Sequence, residues 1–320
     1  MSKSSSNKGK AFEFACLKML EKEISKIRPV AIVQNSSFYI AQEQWNRMDP
    51  SLQSILKNSS FSAIATLFEL EPLIIENGTD TLELEIQSDK KGVVGDVRDI
   101  LIIRRGIEWE IGLSIKHNHF AVKHSRLSKT IDFGERWFGI KCSRQYWNEI
   151  EPIFTYLKNQ KELGLKWNEL NNKHKIYIDI LKAFMEEIQR SYILHGSAVP
   201  KKMVEYLLGK FDFYKVISID KKLITQIQAF NIRGTLNKAA QRKGPSIQVP
   251  IPGLPNRILH IDFKPGSTNT VEMCLDEGWQ FSFRIHNAST KVEPSLKFDV
   301  QIIGMPTAII TIDCNWWREV

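Results

Sequence analysis

No run in the 320-residue chain approaches the roughly 20 consecutive apolar residues that a bilayer-crossing helix needs, which argues against a membrane-spanning protein. The amino-terminal segment MSKSSSNKGK is polar and is followed by a charge-interrupted helical pattern, not by an apolar signal core, so a cytoplasmic protein is expected. Cysteine is scarce. Cys16, Cys142, Cys274 and Cys314 are widely separated and form no CxxC pair, which speaks against a zinc ribbon and against a disulfide framework.

What the chain does hold is apolar content and positive charge. At 42% apolar residues it can bury a substantial core in one or two lobes, and it is not disordered. Its formal charge of +8 favours a polyanionic partner, because lysines and arginines that displace phosphate counterions supply most non-specific nucleic-acid affinity.

Periodicity gives the first elements. Phe12, Cys16, Leu17, Leu20 and Ile24 make one apolar stripe of a helix over residues 11–27. Residues 36–70 read as helical and irregular, with Pro50 and Ser51 as a helix start, and TLELEIQ (81–87) alternates as a strand. Two or more long helices follow over residues 141–190, then a short helix in KKMVEYLLGKF and a strand in YKVISI. From about residue 232 the pattern turns β-rich, with runs ILHIDF, TVEMCL, QFSFRIHN, LKFDVQIIG and AIITIDC between turn residues. This predicts residues 1–200 as one region with helical insertions and residues 201–320 as a β-rich region.

The chemistry concentrates in residues 95–128. Residues 100–103 are β-branched and aliphatic, residues 109–116 alternate, and Arg104-Arg105-Gly106 between them supplies the glycine of a tight hairpin turn. A turn centred on Arg105 and Gly106 sets Asp99 opposite Gly112, on the face that carries Ser114, Lys116 and, further along, Glu110. Asp96 points the other way, and a one-residue slip would exchange the two aspartates. A carboxylate at a strand start with a carboxylate and a lysine on the next strand suits metal-dependent phosphodiester hydrolysis: the acids hold Mg²⁺ and the lysine orients water and neutralises charge.

Donors follow the hairpin: His117, Asn118, His119, Lys123, His124, Ser125, Arg126, Ser128 and Lys129 can reach phosphate oxygens. Phosphate contact is preferred over a zinc-like pair of His117 and His119. NIRGTLNKAAQRKG places Arg233, Asn237, Lys238, Arg242 and Lys243 around a glycine-bearing loop, either a DNA clamp or a solvated charge run. In GWQFSFRIHNAS and SLKFDVQIIG, Phe281, Phe283 and Ile285 alternate with Gln280, Ser282, Arg284 and His286, and Leu296, Phe298 and Val300 with Lys297, Asp299 and Gln301. The polar face holds the residue types that read base edges in a major groove, although a half-buried sheet with a wet side has the same pattern.

The motifs GDVRD, EIGLSIKHNH, AVKHSRLS, GWQFSFRIHNAS and SLKFDV together resemble the PD-(D/E)xK nucleases, and within them the HaeIII family of type II restriction endonucleases. The resemblance spans most of the chain. It implies a mixed α/β (α+β) fold with a nuclease core, flanking helices and a C-terminal β-rich recognition region. Mg²⁺-dependent hydrolysis of double-stranded GGCC at its centre, leaving blunt ends and 5′-phosphates, is the implied activity, with a companion cytosine methyltransferase acting on the same site. A two-fold homodimer would match a palindrome, and nicking of one strand after the other by a monomer is the alternative.

Against the general nuclease pattern, Ser114 stands where an acidic residue is usual, and Val97-Arg98 replaces a proline before Asp99. The second carboxylate is either Glu110 or Glu13, and the resemblance favours Glu13 on its N-terminal helix. Asp99, Glu13 and Glu110 are thus the metal candidates, and these three with Ser114 and Lys116 the catalytic candidates. For the outward face of the β-rich region the resemblance favours DNA recognition by Arg284, His286, Asn287 and Lys297. Ser114 also keeps open a competing reading, a sequence-specific DNA-binding protein of nuclease fold that does not cleave; a single-strand or RNA nuclease is a third.

Overall fold

A computed structural model describes residues 3–88, 91 and 95–317. The chain forms two compact units, and each is assembled from separate stretches: Met1–Phe120, Gly209–Pro252 and Thr307–Val320 in one, Ala121–Leu208 and Gly253–Pro306 in the other. Among the described residues no helix is long and apolar enough to cross a membrane.

The first unit is a seven-stranded mixed sheet with helices on one face. It contains α1 (Lys3–Ile24), β1 (Val30–Val33), α2 (Ser36–Asn46), α3 (Pro50–Leu70), β2 (Leu82–Ile86), β3 (Ile100–Arg104), β4 (Trp109–His117), β6 (Phe213–Ile219), β7 (Ile224–Phe230) and β12 (Thr311–Asn315), in the spatial order β1-β2-β3-β4-β6-β7-β12. The helices start where the chain offers caps. The Asn35 side chain accepts from the Phe38 N–H, and Asp49 accepts from Leu52 with Pro50 in the first turn of α3. The apolar stripe of α1 (Phe12, Leu17, Leu20, Ile24) is fully buried with Ile100, Ile102, Leu113 and Ile115 of the sheet. Burial of such side chains stabilises by about 1.5–3 kcal/mol each.

The hairpin forms, but two residues out of the expected register. Ile100 pairs with Leu113 and Leu101 with Gly112. The connection is not a two-residue turn on Gly106: a single 3₁₀ turn spans Arg105–Ile107 and Glu108 takes the left-handed conformation at φ 51°. The longer turn shifts the pairing by two, which returns every strand side chain to its predicted face.

The second unit contains β5 (Ala121–Leu127), α4 (Phe133–Phe138), α5 (Arg144–Glu162), α6 (Lys173–His195), α7 (Ala198–Leu208), β8 (Ile258–Phe263), β9 (Thr270–Leu275), β10 (Gln280–His286) and β11 (Leu296–Gly304). Its sheet is antiparallel throughout, in the order β5-β11-β10-β9-β8. One face is aromatic and dry, with Phe281, Phe283 and Phe298 fully buried and the Phe184 ring 4.9 Å from that of Phe298. The boundary expected near residue 200 falls inside α7, and of the β-rich runs AIITIDC contributes β12 to the first unit.

Candidate active site

The site arises where one ladder ends and the other continues. β3 stops pairing at Ile100, while β4 runs on to His117 with β6 alongside in parallel, Ser114 beside Lys215 and Lys116 beside Ile217. Beyond Leu113 the β3 side of β4 would offer an unpaired N–H, and Asp99 supplies the partner. Its backbone N–H donates to the Leu113 carbonyl (2.7 Å), and its carboxylate Oδ2 then accepts from the Ile115 N–H at 2.7 Å. The same oxygen accepts from Lys116 Nζ at 2.9 Å and from the Ser114 hydroxyl at 3.4 Å. Asp99 and Lys116 keep about a fifth and a quarter of their side-chain surface exposed (21% and 24%), enough for a ligand to reach both.

Glu13 comes to the same place from α1. It is 5% exposed and accepts from Lys10 Nζ at 3.0 Å. Burial raises its carboxyl well above the usual range, the charge on Asp99 raises it further, and Lys10 and Lys116 oppose both. A buried carboxyl whose ionisation is opposed by burial and by a neighbouring carboxylate is what a cation relieves, and hard oxygen donors suit a divalent ion such as Mg²⁺ or Mn²⁺.

Glu110 is elsewhere. It lies four residues before Ser114 on β4, roughly 13 Å along an extended strand, and its Oε1 accepts from Arg98 Nη1 at 2.8 Å. The structure therefore brings Glu13, and not Glu110, to Asp99. Asp96 turns away as expected and is held by Arg98 and by the Gln87 amide.

A further cation was not foreseen. Lys215, on β6 beside Ser114, is 3% exposed and donates to the Phe120 carbonyl at 2.6 Å. Burial, with a contribution from the charge on Lys116, depresses its ammonium to about 7. Its only trace in the sequence is a single lysine inside the apolar run FYKVISI.

Comparison with known proteins gives the family. The family model of the HaeIII restriction endonuclease matches residues 9–306, and the type II restriction enzyme HaeIII of Haemophilus aegyptius is 51% identical over 317 residues, covering 99% of both chains. The chain belongs to the HaeIII restriction endonuclease family. It is a type II restriction endonuclease, a site-specific hydrolase of DNA, and such enzymes generally use divalent metal ions. No solved structure matches the chain.

The remaining DNA-contact candidates of this HaeIII-family chain divide by how their polar atoms are spent. On the outer face of the second sheet, β5, β11 and β10 set His124, Asp299 and Arg284 in one cross-strand row and Arg126, Lys297 and His286 in the next. Arg284 donates to Asp299 at 2.6 Å yet is 54% exposed. Burial holds both His286 and Lys297 below their ordinary values.

Other candidates are engaged inside their own unit. Lys123 faces the helices, where its Nζ donates to the Tyr206 carbonyl (2.7 Å) and lies 3.7 Å from that ring centroid, and burial lowers it to about 8. Asn118, in the left-handed region at φ 50°, spends its amide on Asp220 (2.9 Å), which also binds His117 (2.8 Å). Asn237 donates to the Leu70 and Ile247 carbonyls and accepts from Val249 N–H, so its amide builds the loop and does not project from it. The amide nitrogen of Asn287 is likewise bonded to the Ser289 and Lys291 carbonyls. Arg233 reaches the Gly209 carbonyl at 2.9 Å, Lys238 is exposed, and His119 is half-buried in the first unit.

Proposed function

We propose that this restriction endonuclease cuts double-stranded DNA at GGCC, in the centre of the site and with Mg²⁺, and that the reaction is centred on Asp99, Lys116 and Glu13. The observation that carries the reading is the shared Asp99 carboxylate: one oxygen takes the Lys116 ammonium at 2.9 Å at the open edge of β4, beside a buried glutamate whose ionisation it opposes. Asp99 and Glu13 would hold the metal, which supplies charge stabilisation at the scissile phosphate and an acidified water. Lys116 orients the attacking water and neutralises charge that develops on the phosphate. Ser114 steadies Asp99 through its hydroxyl, and hydrolysis leaves a 5′-phosphate.

Specificity for GGCC rests on the likeness to the HaeIII family. Arg284, His286, Lys297, Arg126 and His124, on the outer face of the second sheet, are the residues we assign to DNA. Arginine suits guanine because its fork matches O6 and N7 together. A palindromic site is met by a two-fold dimer, and a cytosine methyltransferase of the same specificity protects the host, a bacterial cytoplasm in this reading.

The test is digestion of plasmid DNA with Mg²⁺ and with EDTA, followed by sequencing of the ends. Fragments that appear only with Mg²⁺ and end blunt between GG and CC support the proposal. Fragments ending at another motif overturn the site, and intact plasmid with duplex still bound overturns cleavage.

A further inference from the structure

The residues around Asp99 form a second constellation, apart from the groups that face the open edge of β4. Arg98 is 6% exposed and every nitrogen of its guanidinium is bonded: Nε and Nη2 donate to the two oxygens of Asp96 at 2.8 Å each, and Nη1 to Glu110 at 2.8 Å. The guanidinium also lies 4.0 Å from the ring centroid of Phe211. Its aliphatic stem runs across β4 at Gly112, so close that a Cβ at that position would sit 2.0 Å from Arg98 Cδ and 2.4 Å from Cγ. Such distances do not occur, so only glycine admits the stem.

The backbone on either side is tied as well. The Gln87 amide donates to the Arg98 carbonyl at 3.3 Å and to Asp96 at 3.1 Å, and the Gln87 N–H donates to the Asp99 carbonyl at 2.9 Å. Strand ends fray unless something holds them, and Asp99 precedes the first residue of β3.

We infer that Arg98, seated in the notch of Gly112 and anchored by Asp96 and Glu110, is a positioning residue that fixes the Asp99 carboxylate for DNA cleavage. Glu110 then serves as the anchor of Arg98 and not as a metal ligand. The inference rests on the proposed role of Asp99 and deepens it. A carboxylate held from behind by a fully bonded arginine keeps its oxygens aimed at the open edge of β4, and misplacement by about an ångström costs roughly 100-fold in rate.

The experiment compares Gly112→Ala, Arg98→Met, their combination, Glu110→Gln and Asp99→Asn with the unaltered enzyme. The measurements are single-turnover cleavage of a matched duplex, the Mg²⁺ concentration for half-maximal rate, duplex binding in EDTA, and the thermal midpoint without metal. Gly112→Ala and Arg98→Met are expected to slow cleavage roughly 10- to 100-fold and to raise the Mg²⁺ requirement several-fold. Binding in EDTA should stay within about twofold, and the double variant should be no slower than the slower single one, because both changes open one clamp.

A role in stability alone would lower the midpoint and leave the Mg²⁺ requirement of the folded fraction unchanged. That result, or wild-type cleavage by both variants, overturns the clamp. If Gly112→Ala does not fold, Glu110→Gln decides: a several-fold loss supports the clamp, whereas either an unchanged rate or a loss as complete as that of Asp99→Asn overturns it. Normal cutting by Asp99→Asn would instead overturn the centre on which the inference rests, so the two failures are separable.

Discussion

Glu13 and Lys215 are buried ionisable groups of opposite sign, and the chain bears a cost for each. For Glu13, the folded carboxyl titrates above its unfolded value, so the folded state holds a proton that the unfolded state releases. Stability is therefore lost as pH rises from the ordinary carboxylate value through the folded one. Glu13→Gln removes this loss. The variant should melt above the wild type at pH 8 to 9 by on the order of 1–3 kcal/mol, with the difference vanishing toward pH 4, while cleavage is abolished. Added Mg²⁺ should stabilise the wild type and leave the variant nearly unmoved, since only the folded wild type offers the second carboxylate. A variant less stable than wild type at every pH would contradict the argument. Lys215 runs the other way. Its folded value, about 7, lies below the unfolded one, so the unfolded state binds the extra proton and stability rises with pH from about 7 until the unfolded lysine titrates. Lys215→Met should therefore gain most, relative to wild type, at pH 6 and least at pH 10. Thermal melts across that range check it, and a gain that grows with pH would refute it.

At the scale of elements, the alternation of residues 109–116 and of β10 and β11 was legible because a period of two is a property of the strand itself. The turn was not. Gly106 is the obvious residue for a tight reversal, yet the left-handed position falls to Glu108, and nothing local distinguishes a two-residue turn from a 3₁₀ turn followed by one left-handed residue. The error in register was two, so the face assignments survived it. Donor-rich segments were less legible for a different reason. Sequence displays which side chains can donate but not what already accepts from them, and Lys123, Asn118 and Asn237 all find carbonyls or carboxylates within their own unit. Alternation alone could have separated Lys123 from its neighbour His124, because adjacent residues of β5 must face opposite ways. The same alternation makes Arg284 a sharper target. Its guanidinium is braced by the cross-strand Asp299 and remains accessible. Arg284→Ala should cost about 1–3 kcal/mol of discrimination between GGCC and sites altered at one guanine, measured by competitive duplex binding. Equal weakening on every sequence would make Arg284 a phosphate contact instead.

At the scale of the molecule, the two compact units do not follow the order of the chain, which leaves the first at Phe120, returns at Gly209, leaves at Pro252 and returns at Thr307. This was hidden in the sequence, because a change from helical to β-rich composition marks where elements change and not which unit they join. β6 and β7, which follow the helices of the second unit in the sequence, join the first sheet, and β6 lies directly against β4. A fragment of residues 1–208 lacks both. It should show no cooperative thermal transition and no cleavage; a sharp melt for this fragment would show that β4 does not need β6.

The interleaving has a consequence for biosynthesis. During translation the strand that bears Lys116 emerges early, but it cannot be flanked on both sides until about a hundred further residues have followed, and the sheet gains its last strand, β12, only past residue 310. A nascent chain that stops short of residue 213 therefore carries Asp99 and Lys116 without the strand that flanks β4, and it is expected to leave DNA uncut.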